Sequence, residues 1–378
     1  MSQMTEPPIL NRLPYDIVLN ILTRLPVKSV IRLRCVSKSL YSSITTPYFI
    51  STHLNHTKND INRDNARVIH LPFSYRPTIP DCTVALDRSF DTISEIRIPF
   101  DFPHPNAQIV GSGNGLLCLA VLVYGNVIYL WNPSIRKFKK LPDPCLGNSR
   151  FVKMGFAYHS ENNDYKVVRI LSPPSSAQVV EVYTLSSGSW RRFEVSLGAN
   201  GVYYYFRRSL LPAPLVSGAL HWIAGEGEED PKDRMIVSFD VNSEKFRKLA
   251  LPPGQNIDAK NLETHISSFK GKLAFIRSEY PGRVFSIWVM REYGVDSWTK
   301  LFVVPFQRIS RCTAFTECGS LLVFSYNYKN RIKSGREFVL VDVETLQEKN
   351  DLGIQISLSA ATFMESLVLL DGANVVSY

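Results

Sequence analysis

The chain has 378 residues, of which 45% are hydrophobic, and a formal net charge of +9. It contains no run of about 18 apolar residues, which argues against a membrane-spanning helix. Its start "MSQMTEPPIL" lacks the basic-then-apolar order of a secretory signal, so the cytoplasm or the nucleus is the expected location.

The six cysteines are scattered without a C-x-x-C pair, and the seven histidines are equally dispersed. Free thiols are the simplest reading, and no metal or cofactor is expected.

Residues 1–12 read as a flexible start. The stretch "LPYDIVLNILTRLP" from Leu13 to Pro26 then opens and closes on Leu-Pro. Pro14 suits the first helical position and Asp16 the first turn. Ile17, Val18, Ile21, Leu22 and Leu25 fall on one apolar stripe, and Pro26 stops the helix. Ser29 is placed to cap a second helix carrying Val30, Leu33 and Val36. Ser37 is placed to cap a third with Leu40 and Ile44, and Pro47 to open a last turn.

A unit of about 40 residues is marginal alone. Its apolar faces must be covered either by another protein or by the domain that follows. Between Leu13 and Leu54 there are five basic residues (Arg24, Lys28, Arg32, Arg34, Lys38) against the single acid Asp16. Such a surface suits an acidic protein or nucleic acid.

From Arg67 onward, short apolar runs alternate with Gly, Asn, Asp, Ser and Pro turns, as in all-β folds. A repeat of strand, polar turn and strand recurs about every 50 residues, its last strands opening at Ile93, Phe138, Trp190, Phe246, Trp298 and Leu346. Hairpins such as "SGNGLLCLA", "LVSGALHWIAG" and "SSFKGKLAFIR" precede these units and supply the other strands. The period fits four-stranded propeller blades. Six blades are expected, with a seventh if Arg67–Phe73 stands apart. The tail "AATFMESLVLLDGANVVSY" is expected to complete the first blade and close the ring.

Motifs for chemistry are weak. "GSGNGL" is followed by an apolar strand rather than the helix N-terminus that a dinucleotide phosphate needs, so it reads as a turn. The acidic run Glu226–Asp233 lacks calcium-loop spacing. His159, Asp164 and His221 fall within blade repeats and form no catalytic constellation. No enzymatic activity is expected.

"LPYDIVLNILTRLPVKSVIRLRCVSKSLYSSI" resembles the F-box in the form common in plant proteins. Leu40 stands where that pattern usually has Trp. "GSGNGLLCL", "LWNPSIRKFKKLP", "GFAYHSENNDYKVVRI", "GALHWIA" and "FDVNSEKFRKLALPP" resemble the kelch-like, F-box-associated domain of the same proteins. The resemblance implies a helical F-box over residues 13–55, a linker over 56–66 and a mainly β, kelch-like propeller over 67–378. It also implies docking onto a Skp-family adaptor, and through it onto a cullin scaffold, with the propeller recruiting a protein substrate for ubiquitination and degradation. The expected adaptor contacts are Leu13, Pro14, Ile17, Ile21, Leu25, Pro26, Val30, Leu33, Val36 and Leu40. A non-degradative scaffold or decoy is the alternative, and a nucleic-acid-binding propeller stands below it.

Two stretches combine aromatic and basic side chains, "GVYYYFRRSLLP" and "SYNYKNRIKSGRE". Such residues are enriched in interface hot spots and also bind single-stranded nucleic acid. Tyr204, Tyr205, Arg207, Arg208, Tyr328 and Arg331 are therefore the candidate substrate contacts.

Overall fold

The structure is a computed structural model. It describes residues 13–60, 66–72, 81–102, 107–121, 127–146, 152–171, 178–195, 202–204, 211–226, 234–255, 264–279, 284–295, 297–306, 309–326, 336–350, 352, 358–368 and 375–377. Four helices come first: α1 (Tyr15–Leu22), α2 (Val27–Leu33), α3 (Lys38–Ile44) and α4 (Pro47–Asp60). Six sheets follow, each an antiparallel meander of four or five strands.

The helix starts follow local chemistry. Pro14 and Pro26 sit just before α1 and α2 with extended backbone, so their missing N–H groups cost no helical bond. Pro14 is thus one residue outside the helix, and Pro26, rather than Ser29, opens α2. Ser37 caps α3 as expected, its hydroxyl accepting from the Leu40 amide at 3.1 Å. Helix α4 runs 14 residues to Asp60, well beyond a single turn.

Each sheet is one blade. The first contains Leu358–Phe363, Arg67–Pro72, Cys82–Leu86 and Thr92–Ile96, from the inside outward. The C-terminal strand pairs with Arg67–Pro72 in the register Arg67↔Phe363 to Pro72↔Leu358. The tail therefore closes the ring through the first blade, and Arg67–Pro72 belongs to that blade rather than to a seventh. Only Leu358–Phe363 performs the closure. Val375–Ser377 instead adds a fifth strand outside Lys137–Lys140 of the second blade.

The remaining blades begin at Val152, Val202, Thr264 and Ile309. Ile93, Phe138, Trp190, Phe246 and Trp298 lie in outer strands, as the period predicts. Leu346 does not. It sits in the preceding turn at φ 57, because that turn needs a left-handed residue before the strand Glu348–Lys349 can start.

Three of the polar turns, in the second, fourth and sixth blades, share a construction. Asp240 accepts from the Ser243 amide at 2.7 Å, and Asp342 from Glu344 and Thr345 at 3.0 and 2.9 Å. Asn132 accepts from Ser134 at 3.0 Å. In each turn a later residue (Glu244, Leu346, Arg136) takes positive φ and redirects the chain. "GSGNGL" is a two-residue hairpin turn at Asn114-Gly115, both at positive φ.

Blades stack face to face, so middle strands are covered on both sides. Leu116–Val121 and Asp164–Leu171 are buried throughout, whereas the outer strand Ser189–Val195 is mostly exposed. One apolar cluster fills each of the six blade junctions, including that between the last and first blades. A separate cluster forms the helical core.

A meander gives the ring two unlike ends. The turns after each blade's inner strand and before its outer strand gather at one end. The connections between the two middle strands, and those from blade to blade, gather at the other. Helix α2 meets the turn Pro133–Ile135 of the second blade, and the Lys58 ammonium of α4 lies 5.8 Å from the Tyr158 ring centroid in the third. The helices thus sit over the tight-turn end.

Candidate functional site

Helix α1 carries apolar side chains on two faces. Leu22 is buried, and Val18 and Leu19 pack against the cluster formed with Val27, Val30, Ile44 and Phe49. On the other face Ile17 and Ile21 are 43% and 47% exposed, with Leu13 beside them at 40%. The single stripe expected from the sequence is therefore split: half serves the core, and half meets solvent.

The expected adaptor contacts separate accordingly. Leu13, Pro14, Ile17, Ile21, Pro26 and Val36 are exposed, and Leu25, Leu33 and Leu40 are half-buried. Val30 is fully buried inside the helical core, so it supports the surface from beneath rather than forming part of it. Leu40 packs against the same core, which accounts for an aliphatic residue at this position.

The exposed strip is held rigidly. The Tyr15 hydroxyl bonds the Ser43 hydroxyl at 2.7 Å and donates to the Ser39 carbonyl at 3.2 Å, tying α1 to α3. The side-chain hydroxyls of Ser39 and Ser43, both within bonding distance of the phenol oxygen, lower the Tyr15 pKa from its usual value. Arg34 stacks over the Tyr41 ring at 5.1 Å, and Tyr41 is itself half exposed. Arg24, Lys28, Arg32 and Lys38 are exposed around the same helices, so an apolar strip stands within a positive field. Tyr15 and Tyr41 were absent from the sequence expectation. Their signal was an exposed aromatic on each flanking helix, indistinguishable by spacing from a core position.

The candidate substrate contacts behave differently. Tyr205, Arg207, Arg208, Tyr328 and Arg331 lie outside the described residues. Tyr204 is placed by its backbone alone, opposite Ala224 in the fourth blade. The first aromatic-basic stretch lies between Val202–Tyr204 and Leu215–Val216, two strands that both pair with Ala219–Glu226. Leu211, a few residues before Leu215–Val216, packs against the clusters at the fifth–sixth and sixth–first junctions. The second stretch connects the two middle strands of the sixth blade, at the end opposite the helices.

His221 and Asp164 make bonds that hold the fold, and His159 is buried at the end of the strand Val152–His159. His221 is fully buried and bonds the Tyr293 hydroxyl at 2.8 Å and the Pro214 carbonyl at 3.2 Å. Asp164 is buried and accepts from the amides of Tyr165 at 2.7 Å and Ser186 at 3.2 Å. Among the described residues no group of three or more His, Cys, Asp or Glu is placed to hold a metal, and no helix is long and apolar enough to cross a membrane.

The model of the F-box domain matches residues 10–52, and that of the F-box associated beta propeller domain matches residues 75–343. The chain belongs to the F-box proteins with an F-box-associated β-propeller. F-box protein CPR1 of Arabidopsis thaliana is 30% identical over 312 residues, covering 77% of this chain and 73% of that protein. F-box protein At3g07870 of the same plant is 28% identical, covering 78% and 73%. F-box/kelch-repeat protein At3g23880 of A. thaliana is 27% identical, covering 78% and 80%. For this F-box protein, family membership makes a Skp-family adaptor the implied partner of the helical unit. Adaptor-type proteins of this kind are not typically enzymes.

Proposed function

We propose that this F-box protein is the substrate-recognising subunit of a Skp–cullin–F-box ubiquitin ligase, acting in the cytoplasm or nucleus. The observation that carries the reading is the exposed strip Leu13, Ile17 and Ile21 on a helix whose other face is already in the core. An aliphatic strip of this kind in a basic field suits a groove on an acidic adaptor. The kelch-like character of the blades belongs to the same reading.

The propeller would present a protein substrate on the end away from the helices, where the longer connections gather. Tyr204, Tyr205, Arg207, Arg208, Tyr328 and Arg331 are the contacts we favour for an acidic or phosphorylated segment. The protein performs no chemistry in this scheme; holding a substrate near the ligase's charged enzyme supplies the rate.

The test is affinity capture with the proteasome blocked, comparing the intact chain with an Ile17→Asp/Ile21→Asp variant. The expected result is that adaptor and cullin vanish from the variant while the trapped substrates remain and lose their ubiquitin. Trapped proteins whose half-lives do not lengthen on depletion of this chain would instead establish a scaffold or decoy.

A further inference from the structure

We propose that Met364–Val368 is a clasp that fixes the F-box on the propeller and so sets the direction in which the substrate end points. The clasp contacts are independent of the proposed ligase role; only their consequence for ubiquitin transfer rests on it. Leu358–Phe363 ends opposite Arg67, so the chain leaves the closing strand at the tight-turn end, directly beneath the helices.

It does not simply trail away from there. The Asn132 side-chain amide donates to the carbonyls of Ser366 and Val368 at 3.2 and 2.9 Å. The Ser366 amide donates to the Ser134 hydroxyl at 3.3 Å. Glu365 pairs with Arg67 at 3.6 Å. Ser366 is fully buried, and its seat is shaped by Gly115, where an added Cβ would lie 2.4 Å from the Ser366 hydroxyl oxygen and 2.8 Å from the Met364 carbonyl oxygen.

These contacts aim Leu367 upward. It is 6% exposed and belongs to the F-box core itself, among Leu22, Val27, Val30, Ile44 and Phe49. A residue near the C-terminus thus completes the core of the N-terminal domain, while its neighbours are bonded to the second blade. Ile135, from the second blade's outer turn, packs against the same core. The rest of the tail returns to the propeller as the strand Val375–Ser377. Covering the inner side of the helices in this way leaves Leu13, Ile17 and Ile21 facing outward. Met364–Val368 therefore acts as a positioning segment rather than as a binding site.

Two exposed native thiols report on this arrangement: Cys35 on the F-box and Cys145 on the propeller. With half-exposed Cys318 changed to Ser, spin labels on that pair measure the distance between the two domains. The chain ending at Val368 keeps the clasp, whereas the chain ending at Phe363 keeps ring closure and loses it. The full chain and the 368-ended chain should give one narrow distance distribution. The 363-ended chain should give a broad one and should be cut faster by protease between residues 61 and 65. Leu367→Ala in the full chain should broaden the distribution, and Leu367→Met should restore it.

A narrow distribution in the 363-ended chain, or in Leu367→Ala should the truncation fail to fold, overturns the clasp. A broad distribution in the 368-ended chain overturns the assignment to Met364–Val368. Capture on an immobilised Skp-family adaptor is measured in parallel. Failure of the full chain there would sink the ligase reading without touching the clasp.

Discussion

Arg169 and Glu181 face each other across the two middle strands of the third blade, with both side chains wholly withdrawn from solvent. Their bond is supported on either side: Glu181 accepts the Leu146 amide at 2.6 Å, and the guanidinium lies 5.9 Å from the Trp190 ring centroid. The pair ties the second-to-third blade connection to the sheet. Breaking it leaves an uncompensated buried charge, whereas removing both partners does not. Arg169→Met should therefore destabilise the propeller by about 3–5 kcal/mol, and Arg169→Met/Glu181→Leu by much less. Denaturant midpoints of the two variants check this. Equal losses in the single and double variants would mean that packing, not charge, governs the site.

Ile21 offers a cleaner separation of binding from stability. It is half exposed, on the face of α1 turned away from the core. In the proposed complex an Asp there would sit unpaired in an apolar contact, which should weaken adaptor binding at least about a hundredfold. The melting curve should not move. Val30→Asp is the contrast, since that position is fully buried and the same charge should unfold the F-box. If Ile21→Asp binds the adaptor normally, the exposed strip is not the docking surface.

The propeller was legible because strand, polar turn and strand recur at a near-constant period. An Asn or Asp at the start (Asn132, Asp240, Asp342) and a left-handed residue near the end mark the turns before the outer strands of the second, fourth and sixth blades. The two faces of α1 were less legible: Ile17 meets solvent and Leu22 the helical core, and spacing along one helix does not encode which does which. Leu367 was illegible for a related reason. In "MESLVLL" it looks like any strand residue, and only the closing register places it under a domain more than 300 residues earlier. The place of Leu211 was illegible too, because its neighbours belong to the last and first blades rather than to its own stretch of chain.

Ring closure makes a sharper prediction than tail truncation in general. Removing 358–378 strips the inner edge of Arg67–Pro72 and takes Ala360 and Phe363 out of two junction clusters. An exposed strand edge beside open core should drive aggregation. Removing only 369–378 costs the fifth strand of the second blade and should leave a soluble protein. Size-exclusion profiles decide. A soluble monomer from the longer deletion, with its melting temperature unchanged, would show that the first blade closes without its C-terminal strand.

Acid should loosen the propeller through buried histidines. Burial pulls His70, His221 and His265 down to about 4 each. His221 shows the cost: neutral, it donates to the Pro214 carbonyl and accepts from the Tyr293 hydroxyl, and a second proton removes that acceptor. Because the folded-state values are depressed, the unfolded chain takes up protons first. The stability is fully present above about pH 6.5, and it falls as pH drops from there toward 4, by up to about 1.4 kcal/mol per unit for each ring. Melting temperature should be level from pH 7.5 to 8.5 as far as these groups are concerned, and should fall steadily from pH 6.5 to 4.5. His221→Gln should shrink the acid slope while lowering stability at neutral pH. A melting temperature that stays flat down to pH 4.5 would mean that these rings are hydrated in solution.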